Sequence, residues 1–525
     1  MTIVLIVFLK GGNAIDAAIT TTFCLALVEP HVTGIGGGGL MLVHSHRRNT
    51  SVVIDFRETA PENARNDRYI QNPLSASLGR KSIGIPGFVK GLEHAFKKYG
   101  SGHIGFRCCS WMDLIRKAIT EAMKSQSVSD HFLNATHTKI AQEELEGDLL
   151  KSLIQSAQAG KPFRQIPIFM ELVKTLESIA SNGSAAMYEG GTVGQQIVQD
   201  LGGALTLKDL AAYQVVERIP LKETIGKHEV MVSPAPSSGP ELLAILNSFE
   251  YLKHSMKNFG DISAQYLHTL ANIFENLEDL QLRLGDSTPN SAPTTDHQLL
   301  FENSVKNMLD KRNTAQWTSD IQKETLGSDP NYALSDPVAA NVAVMDKKDN
   351  YVSVVTSLNT WFGSKVMGKN GILYNNAMAN FAIPSESGEL ETFNQLATGR
   401  RPLTSNVVAL SMDVSDICGT RIVTGGATAS SVGQVLAYPL LLQSDLRSSV
   451  DAARIDVQNS TIFLENVDVR GSFKAKVVSD FLHLDEVSIQ RIPFTSVNAV
   501  EKTVDQPMSI KDFRSGTGSE DSYSF

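Results

Sequence analysis

Two valine-rich runs, one around Val342 and Val344 and the other around Val352, Val354 and Val355, flank a polar turn from Asp346 to Asn350. β-Branched residues on both sides of a turn-forming cluster predict a β-hairpin, and this pairing constrains the chain more than any other local pattern. Long helical stretches precede it. The later passage IVTGGATASSVGQVLAYPLLL reads as a strand ending in a loop that opens a helix. Mixed blocks of this kind predict an α/β layered protein, and no internal repeat competes with that reading.

Residues 13 to 28, NAIDAAITTTFCLALV, follow a Gly-Gly break and predict a helix buried on most faces and packed on a sheet. The glycine-rich loop from Gly34 to Gly39 then leads into two β-rich runs separated by polar Ser45 to Ser51, a second hairpin. These glycines precede a strand and no Lys-Ser/Thr follows, so the pattern disagrees with a phosphate-binding loop. From about Gly91 to Ala180 the sequence is predominantly helical, with further helices at 194 to 201 and 240 to 285. The segment from 286 to 336 is the most polar and least periodic.

With 525 residues, 42% of them hydrophobic and 20% charged, the chain can bury a large core. Its net charge of −9 gives no support for nucleic acid as a partner. The four cysteines, Cys24, Cys108, Cys109 and Cys418, have neither zinc nor redox spacing, so a disulfide framework is not expected. Cys24 lies in an apolar helical pattern and is assigned to the core. Adjacent Cys108 and Cys109 are read as two buried or partly exposed thiols. No metal or cofactor is called for: His31, His44 and His46 lack an H-E-x-x-H arrangement, and His44 and His46 read as solvated or core residues. The apolar run Ile3 to Leu9 is far short of the roughly 20 residues that cross a bilayer. Glycosylation acceptor patterns at Asn49, Asn134, Asn182 and Asn459 suit an extracellular or luminal surface.

The ordered motifs GGNAIDAA, GIGGGG, DFRETAP, IGIPGFVKG, PAPSSGP, RLGD, SLNTWFGS, GILYNN and RRPLTS span the chain nearly end to end, from Gly11 to Arg514. Together they resemble the γ-glutamyltransferase (glutathione hydrolase) family of N-terminal-nucleophile hydrolases, and within it the divergent branch called glutathione hydrolase 7. The resemblance implies a four-layer αββα sandwich. It also implies a precursor that cuts itself into a large-subunit-like region, 1–338, and a small-subunit-like region, 339–525, interlocked in one body. Relatives carry an N-terminal signal-anchor helix and further residues before GGNAIDAA, so the start of this chain looks truncated. Mis-splicing is an alternative account of that start and of the unusual FRCCSW insertion.

In the family the cut exposes a threonine that attacks γ-glutamyl amides, with its freed α-amino group as base. Counting back from Ser357, Asn359, Phe362, Gly363 and Ser364, the nucleophile position falls on Ala339, whose methyl group cannot attack. Ser357 replaces the threonine that supports the nucleophile. Arg57 matches the arginine that grips the substrate α-carboxylate, a task suited to its two-pronged guanidinium; the bland reading is a structural ion pair with Asp55, Glu58 or another acid. Asn359 matches a residue holding the α-amino and carboxylate ends, and Thr404 and Ser405 match a Ser-Ser pair bonding the same carboxylate. Two acids of the ammonium clamp are replaced by Ala377 and Asn380. Two oxyanion glycines become Ala427 and Thr428, although a local shift would put Gly425 and Gly426 there.

These replacements point to a folded, catalytically impaired member that remains a single polypeptide. Its role would be binding, scaffolding or regulation of an active relative. The alternative is a γ-glutamyl hydrolase or transpeptidase using another hydroxyl, with Ser335, Ser357 and Thr404 as candidates. The expected ligands are γ-glutamyl compounds such as glutathione, held weakly or not at all. The expected location is the extracellular face of the plasma membrane or the secretory pathway, with membrane contact only through an anchor that this sequence lacks. Ala339 is expected to start a central strand, with Arg57, Asn359 and Ser405 converging nearby.

Overall fold

The computed structural model describes residues 2–104, 109–136, 147–255, 264–282, 284–286, 295–321, 338–383, 393–416, 418–458, 461–465, 486–490, 495–504, 506–512 and 514. Cys108, Ser335 and Asn459 lie outside the described residues.

The described strands are β1 (Gly38–Ser45), β2 (Thr50–Asp55), β3 (Val216–Arg218), β4 (Leu221–Ile225), β5 (His228–Val232), β6 (Val338–Met345), β7 (Asn350–Asn359), β8 (Val407–Asp413), β9 (Arg421–Gly426), β10 (Ile455–Gln458), β11 (Thr461–Glu465), β12 (Glu486–Gln490), β13 (Ala499–Thr503) and β14 (Gln506–Ile510). They form a five-stranded sheet ordered β3-β2-β1-β7-β6, a six-stranded sheet ordered β14-β13-β9-β8-β5-β4, and a small β10-β11-β12 sheet. Both expected hairpins are present as antiparallel pairs, β1 with β2 and β6 with β7.

Side-chain alternation explains why the two larger sheets stack. On β1, Leu40 and Leu42 point into a layer shared with Met231, Val408, Leu410 and Val423 of the second sheet. Met41 and Val43 point the other way, into a core with the helix Ala14–Val28 and the helices Phe88–Tyr99 and Trp111–Ala122. The outer face of the second sheet is covered by the helices Gly239–Ser255, Ala264–Leu282 and Ala429–Ala437. Apolar residues on both faces of a strand therefore reach two cores, which is the packing of a helix–sheet–sheet–helix sandwich. The αββα expectation is met. Strands from before and after residue 339 neighbour one another in both larger sheets.

The helix Ala14–Val28 starts at a capping box: Asp16 N–H donates to Asn13 Oδ1 at 3.0 Å, and Asn13 N–H donates to Asp16 Oδ2 at 2.9 Å. Ile3 and Val7 of the short helix Thr2–Leu9 pack into the same core. No described helix is long and apolar enough to cross a membrane. Half-buried Cys24 packs against this core, where burial raises its thiol to about 12, and Cys109 is buried. His44 is buried, with Nδ1 2.7 Å from Ser51 Oγ, whereas His46 is exposed. Asn49, Asn134 and Asn182 are exposed.

One stretch is more regular than its sequence pattern, and one expectation is corrected. The polar stretch after 286 contains the helices Thr295–Leu309 and Lys311–Ile321, held to the second core by Phe301, Met308 and half-buried Trp317. Strand β6, which carries Ala339, is an edge of its sheet rather than a central strand. It is covered instead by the facing sheet, since Ala339, Ala343 and Met345 pack into the layer between the sheets.

Candidate active site

Ala339 is the second residue of β6, half-buried, at a break in the register with β7. Val338 pairs with Asn359 and Ala340 with Thr356, so Ser357 and Leu358 together face the single residue Ala339. The Ser357 hydroxyl donates to the Val338 carbonyl and accepts Asn359 N–H at 2.7 Å. It thus ties the bulged part of β7 to the peptide unit immediately before Ala339. Beyond it the chain leaves the strand through left-handed backbone at Asn359 (φ +87°) and Phe362 (φ +60°). Asparagine tolerates this region better than most residues.

Asn359 aims its amide at a buried polar cluster. Its Nδ2 donates to Asn380 Oδ1 at 3.0 Å while Asn380 Nδ2 donates to Asn359 Oδ1 at 2.8 Å, a reciprocal amide pair. Asn380 Nδ2 also donates to the Leu403 carbonyl at 3.1 Å. Arg57, only 1% exposed, donates through Nη2 to Asn359 Oδ1 at 3.3 Å and Leu403 O at 3.1 Å, and through Nη1 to Glu58 Oε2 at 2.9 Å. Arg57 thus lies beside Asn359 and is ion-paired with Glu58. Burial raises the Glu58 carboxyl above its ordinary value, and Arg57 offsets that only in part. The carboxylate lies against Gly38, where an added Cβ would come within 2.9 Å of Glu58 Oε2.

A second charged network fixes this cluster. Asp55 Oδ1 accepts Arg57 N–H at 2.9 Å, and its Oδ2 accepts Arg218 Nε at 2.7 Å. Arg218 Nη2 reaches Asp286 Oδ1 at 2.8 Å, and Asp286 Oδ2 accepts the Arg401 N–H at 3.2 Å. Burial alone would raise the Asp286 carboxyl; Arg218 and Arg401 overcome this and hold it below its ordinary value. Tyr213 donates its hydroxyl to the Arg57 carbonyl at 2.9 Å.

The remaining matched residues fall in three places. Thr404 is buried and structurally engaged: its N–H donates to Pro236 O at 2.8 Å and its Oγ1 accepts Asn406 N–H at 3.2 Å. Ser405, half-buried, follows it on the segment whose Leu403 carbonyl meets Arg57, so Arg57, Asn359 and this segment lie together. Ala377 is fully buried in the turn Ala377–Asn380. Ala427 is buried beyond β9, and Thr428 caps the helix Ala429–Ala437, its Oγ1 accepting Ser431 N–H at 3.3 Å. Gly425 and Gly426 lie within β9, paired with Val408 and Val407. A Cβ on Gly425 would meet Val355 Cγ2 and the Val407 carbonyl at 2.8 Å, so this glycine permits close approach of strands.

A cavity of about 480 Å³ runs along β6. Ala339 lines it together with Leu25, Glu29 and His131, while Arg57, Asn359 and Asn380 do not. Sequence reasoning missed one arrangement altogether: Glu29, His31 and His131 converge, although about a hundred residues separate His131 from the other two. No spacing motif signals that meeting.

The family model described as gamma-glutamyltranspeptidase matches residues 2–521. Glutathione hydrolase 7 of Mus musculus is 31% identical over 484 residues, covering 87% of this chain and 68% of that protein. The glutathione hydrolase proenzyme of Escherichia coli (strain K12) is 32% identical over 422 residues, 75% of this chain and 68% of that one. Among solved structures, cephalosporin acylase from Bacillus halodurans superposes with a TM-score of 0.76 at 18% identity, covering 100% of this chain and 93% of that one, a likeness of fold. A gamma-glutamyltranspeptidase from Pseudomonas nitroreducens complexed with L-DON gives a TM-score of 0.53 at 27% identity, covering 62% and 93%.

Proposed function

The chain belongs to the gamma-glutamyltranspeptidase family, and from that premise we propose that it is a member without self-cleavage or turnover, one that binds or regulates rather than hydrolyses. The observation that carries this reading is alanine at position 339, beside Ser357 and the Arg57–Asn359 cluster. Covalent catalysis on an acyl group needs a nucleophilic side chain with a lone pair and a base to activate it. A methyl group supplies neither.

The surrounding chemistry supports the same reading. An ammonium clamp needs carboxylates, and the two positions assigned to it hold Ala377 and Asn380. Each missing charge-assisted partner weakens binding by about 1.5–3 kcal/mol, so γ-glutamyl amino acids such as glutathione are held weakly. The two assigned oxyanion positions hold Ala427 and Thr428 in place of glycines. Of the alternative hydroxyls within the described residues, Ser357 bonds Val338 O and Asn359 N–H, and Thr404 accepts from Asn406 N–H. Exposed acceptor asparagines Asn49, Asn134 and Asn182 support a glycosylated, extracellular or luminal protein.

Purified from cells lacking active relatives, the protein should run as one band near its calculated 57.0 kDa. It should release no product from a γ-glutamyl anilide. Two fragments with a new terminus at residue 339, or hydrolysis at ordinary enzymatic rates, would overturn the reading. A new terminus at Ser335 would transfer the role of nucleophile to that serine.

A further inference from the structure

We infer that Glu29, His31 and His131 form a binding site for one Zn²⁺ ion, open to the cavity along β6. The three side chains offer one carboxylate oxygen and two imidazole nitrogens, and their ligand atoms all lie within 4.8 Å of one another. Two His and one carboxylate are a donor set suited to zinc, typically with a fourth position left to water or another ligand. Bonds of about 2.0–2.1 Å in a tetrahedral arrangement place ligand atoms roughly 3.3–3.4 Å apart. The observed separations from Glu29 Oε2 are 3.3 Å to His131 Nδ1 and 3.6 Å to His31 Nε2.

His31 supplies an independent observation. Its side chain is fully buried, yet among the described residues neither ring nitrogen has a hydrogen-bond partner. Buried polar atoms in native proteins are rarely left so, and a metal on Nε2 would satisfy one of them. The ring is also held in place. Its own carbonyl accepts Phe362 N–H at 2.8 Å, and the imidazole stacks on Trp361 with centroids 5.2 Å apart and planes 12° apart. Ser129 Oγ donates to Glu29 Oε2 at 3.1 Å, which orients the carboxylate.

An ion needs a way in and room for its remaining ligand. Glu29 and His131 both line the 480 Å³ cavity, which extends along β6 as far as Ala339. The bland reading is a Glu29–His131 hydrogen bond with His31 acting as an aromatic filler, and it leaves both His31 nitrogens idle.

The full chain, stripped with a chelator and dialysed, should take up one Zn²⁺ per molecule by calorimetric titration and elemental analysis. Co²⁺ in its place should give the visible absorption of a four-coordinate site. Glu29→Gln and His131→Ala change half-buried side chains, and a retained circular dichroism spectrum checks that both variants fold. Each should weaken Zn²⁺ binding by at least about 10–100-fold, the loss typical of outer-shell changes that a direct ligand should match or exceed. His46→Ala, at an exposed histidine away from the cluster, should leave binding unchanged. Failure of the stripped protein to bind Zn²⁺ would overturn the inference. So would binding that survives Glu29→Gln and His131→Ala, or that is lost in His46→Ala.

Discussion

Removing Arg57 should cost more stability than removing a surface arginine, because the loss falls on Glu58. The two side chains are 2% and 0% exposed and meet at 2.9 Å. Arg57→Ala leaves a buried carboxylate without its cation, a change that typically costs about 3–5 kcal/mol. Glu58→Gln is gentler, since Asn359 Oδ1 and Leu403 O still accept from Arg57; a loss of about 1–3 kcal/mol is expected. In the double variant no unpaired charge remains, so its cost should fall below the sum of the singles by about 1.5–3 kcal/mol. Urea unfolding followed by circular dichroism measures all three. The pH dependence gives a second readout. An acid whose folded pKa is raised favours the folded state below its unfolded value, and that advantage is lost as pH rises through the folded value. Glu58 is such a group, its ordinary value being 4.5, and Arg57→Ala removes the cation that offsets its burial. Stability of Arg57→Ala should therefore fall more steeply above pH 4.5 than that of the parent. An Arg57→Ala cost below about 1 kcal/mol, additive with Glu58→Gln, would refute the reasoning.

Ala339→Thr alone should give little cleavage or transfer, because groups that act together in catalysis are grossly non-additive. Adding Ala377→Glu and Asn380→Asp should bring measurable self-cleavage or γ-glutamyl transfer, read by electrophoresis and a γ-glutamyl-anilide assay; activity restored by the single change would contradict this. Gly425→Ala should destabilise by about 1–3 kcal/mol through overpacking, because its Cβ would meet three atoms within 2.9 Å. Thermal unfolding would show this, and an unchanged midpoint would mean that the facing strands can separate at no cost.

Most of the layer architecture was legible because hydrophobic periodicity reports burial locally. The valines of β6 and β7 and the apolar helix Ala14–Val28 declare their partners by type, if not by name. Strand order is not local information, which is why β6 reads as central from its apolar sequence yet lies at a sheet edge. Its burial comes from the facing sheet. The helix Lys311–Ile321 escaped notice for the opposite reason: it is polar, and contact with the second core through Trp317 holds it rather than a strong apolar stripe. At the candidate site, motif order identified Arg57, Asn359 and Asn380, and the adjacent Glu58 was already a plausible ion-pair partner. The Asn359–Asn380 amide pair depends on side-chain orientation, and the Glu29–His31–His131 cluster on a helix packed from elsewhere in the chain; neither leaves a signal in spacing.

On the proposed reading, the geometry also bears on how a fold outlasts its chemistry. A site that receives a charged amino acid keeps donors and acceptors unpaired until the ligand arrives, at a cost in stability. Here most of those groups have found one another. Asn380 completes the amide of Asn359, Glu58 holds Arg57, and Ser357 bridges Val338 to Asn359. Within the Arg57–Asn359 cluster, Arg57 Nε and Glu58 Oε1 remain without hydrogen-bond partners among the described residues. A carboxylate held by both Nη atoms of Arg57 would displace their internal partners Glu58, Asn359 Oδ1 and the Leu403 carbonyl. An aspartate at 380 would turn an amide that now donates to Asn359 Oδ1 and Leu403 O into oxygen facing oxygen. Reintroducing the acid should thus cost stability even as it recreates a partner for an ammonium. The opposition between those effects is what a stability measurement beside the transfer assay would resolve for Asn380→Asp.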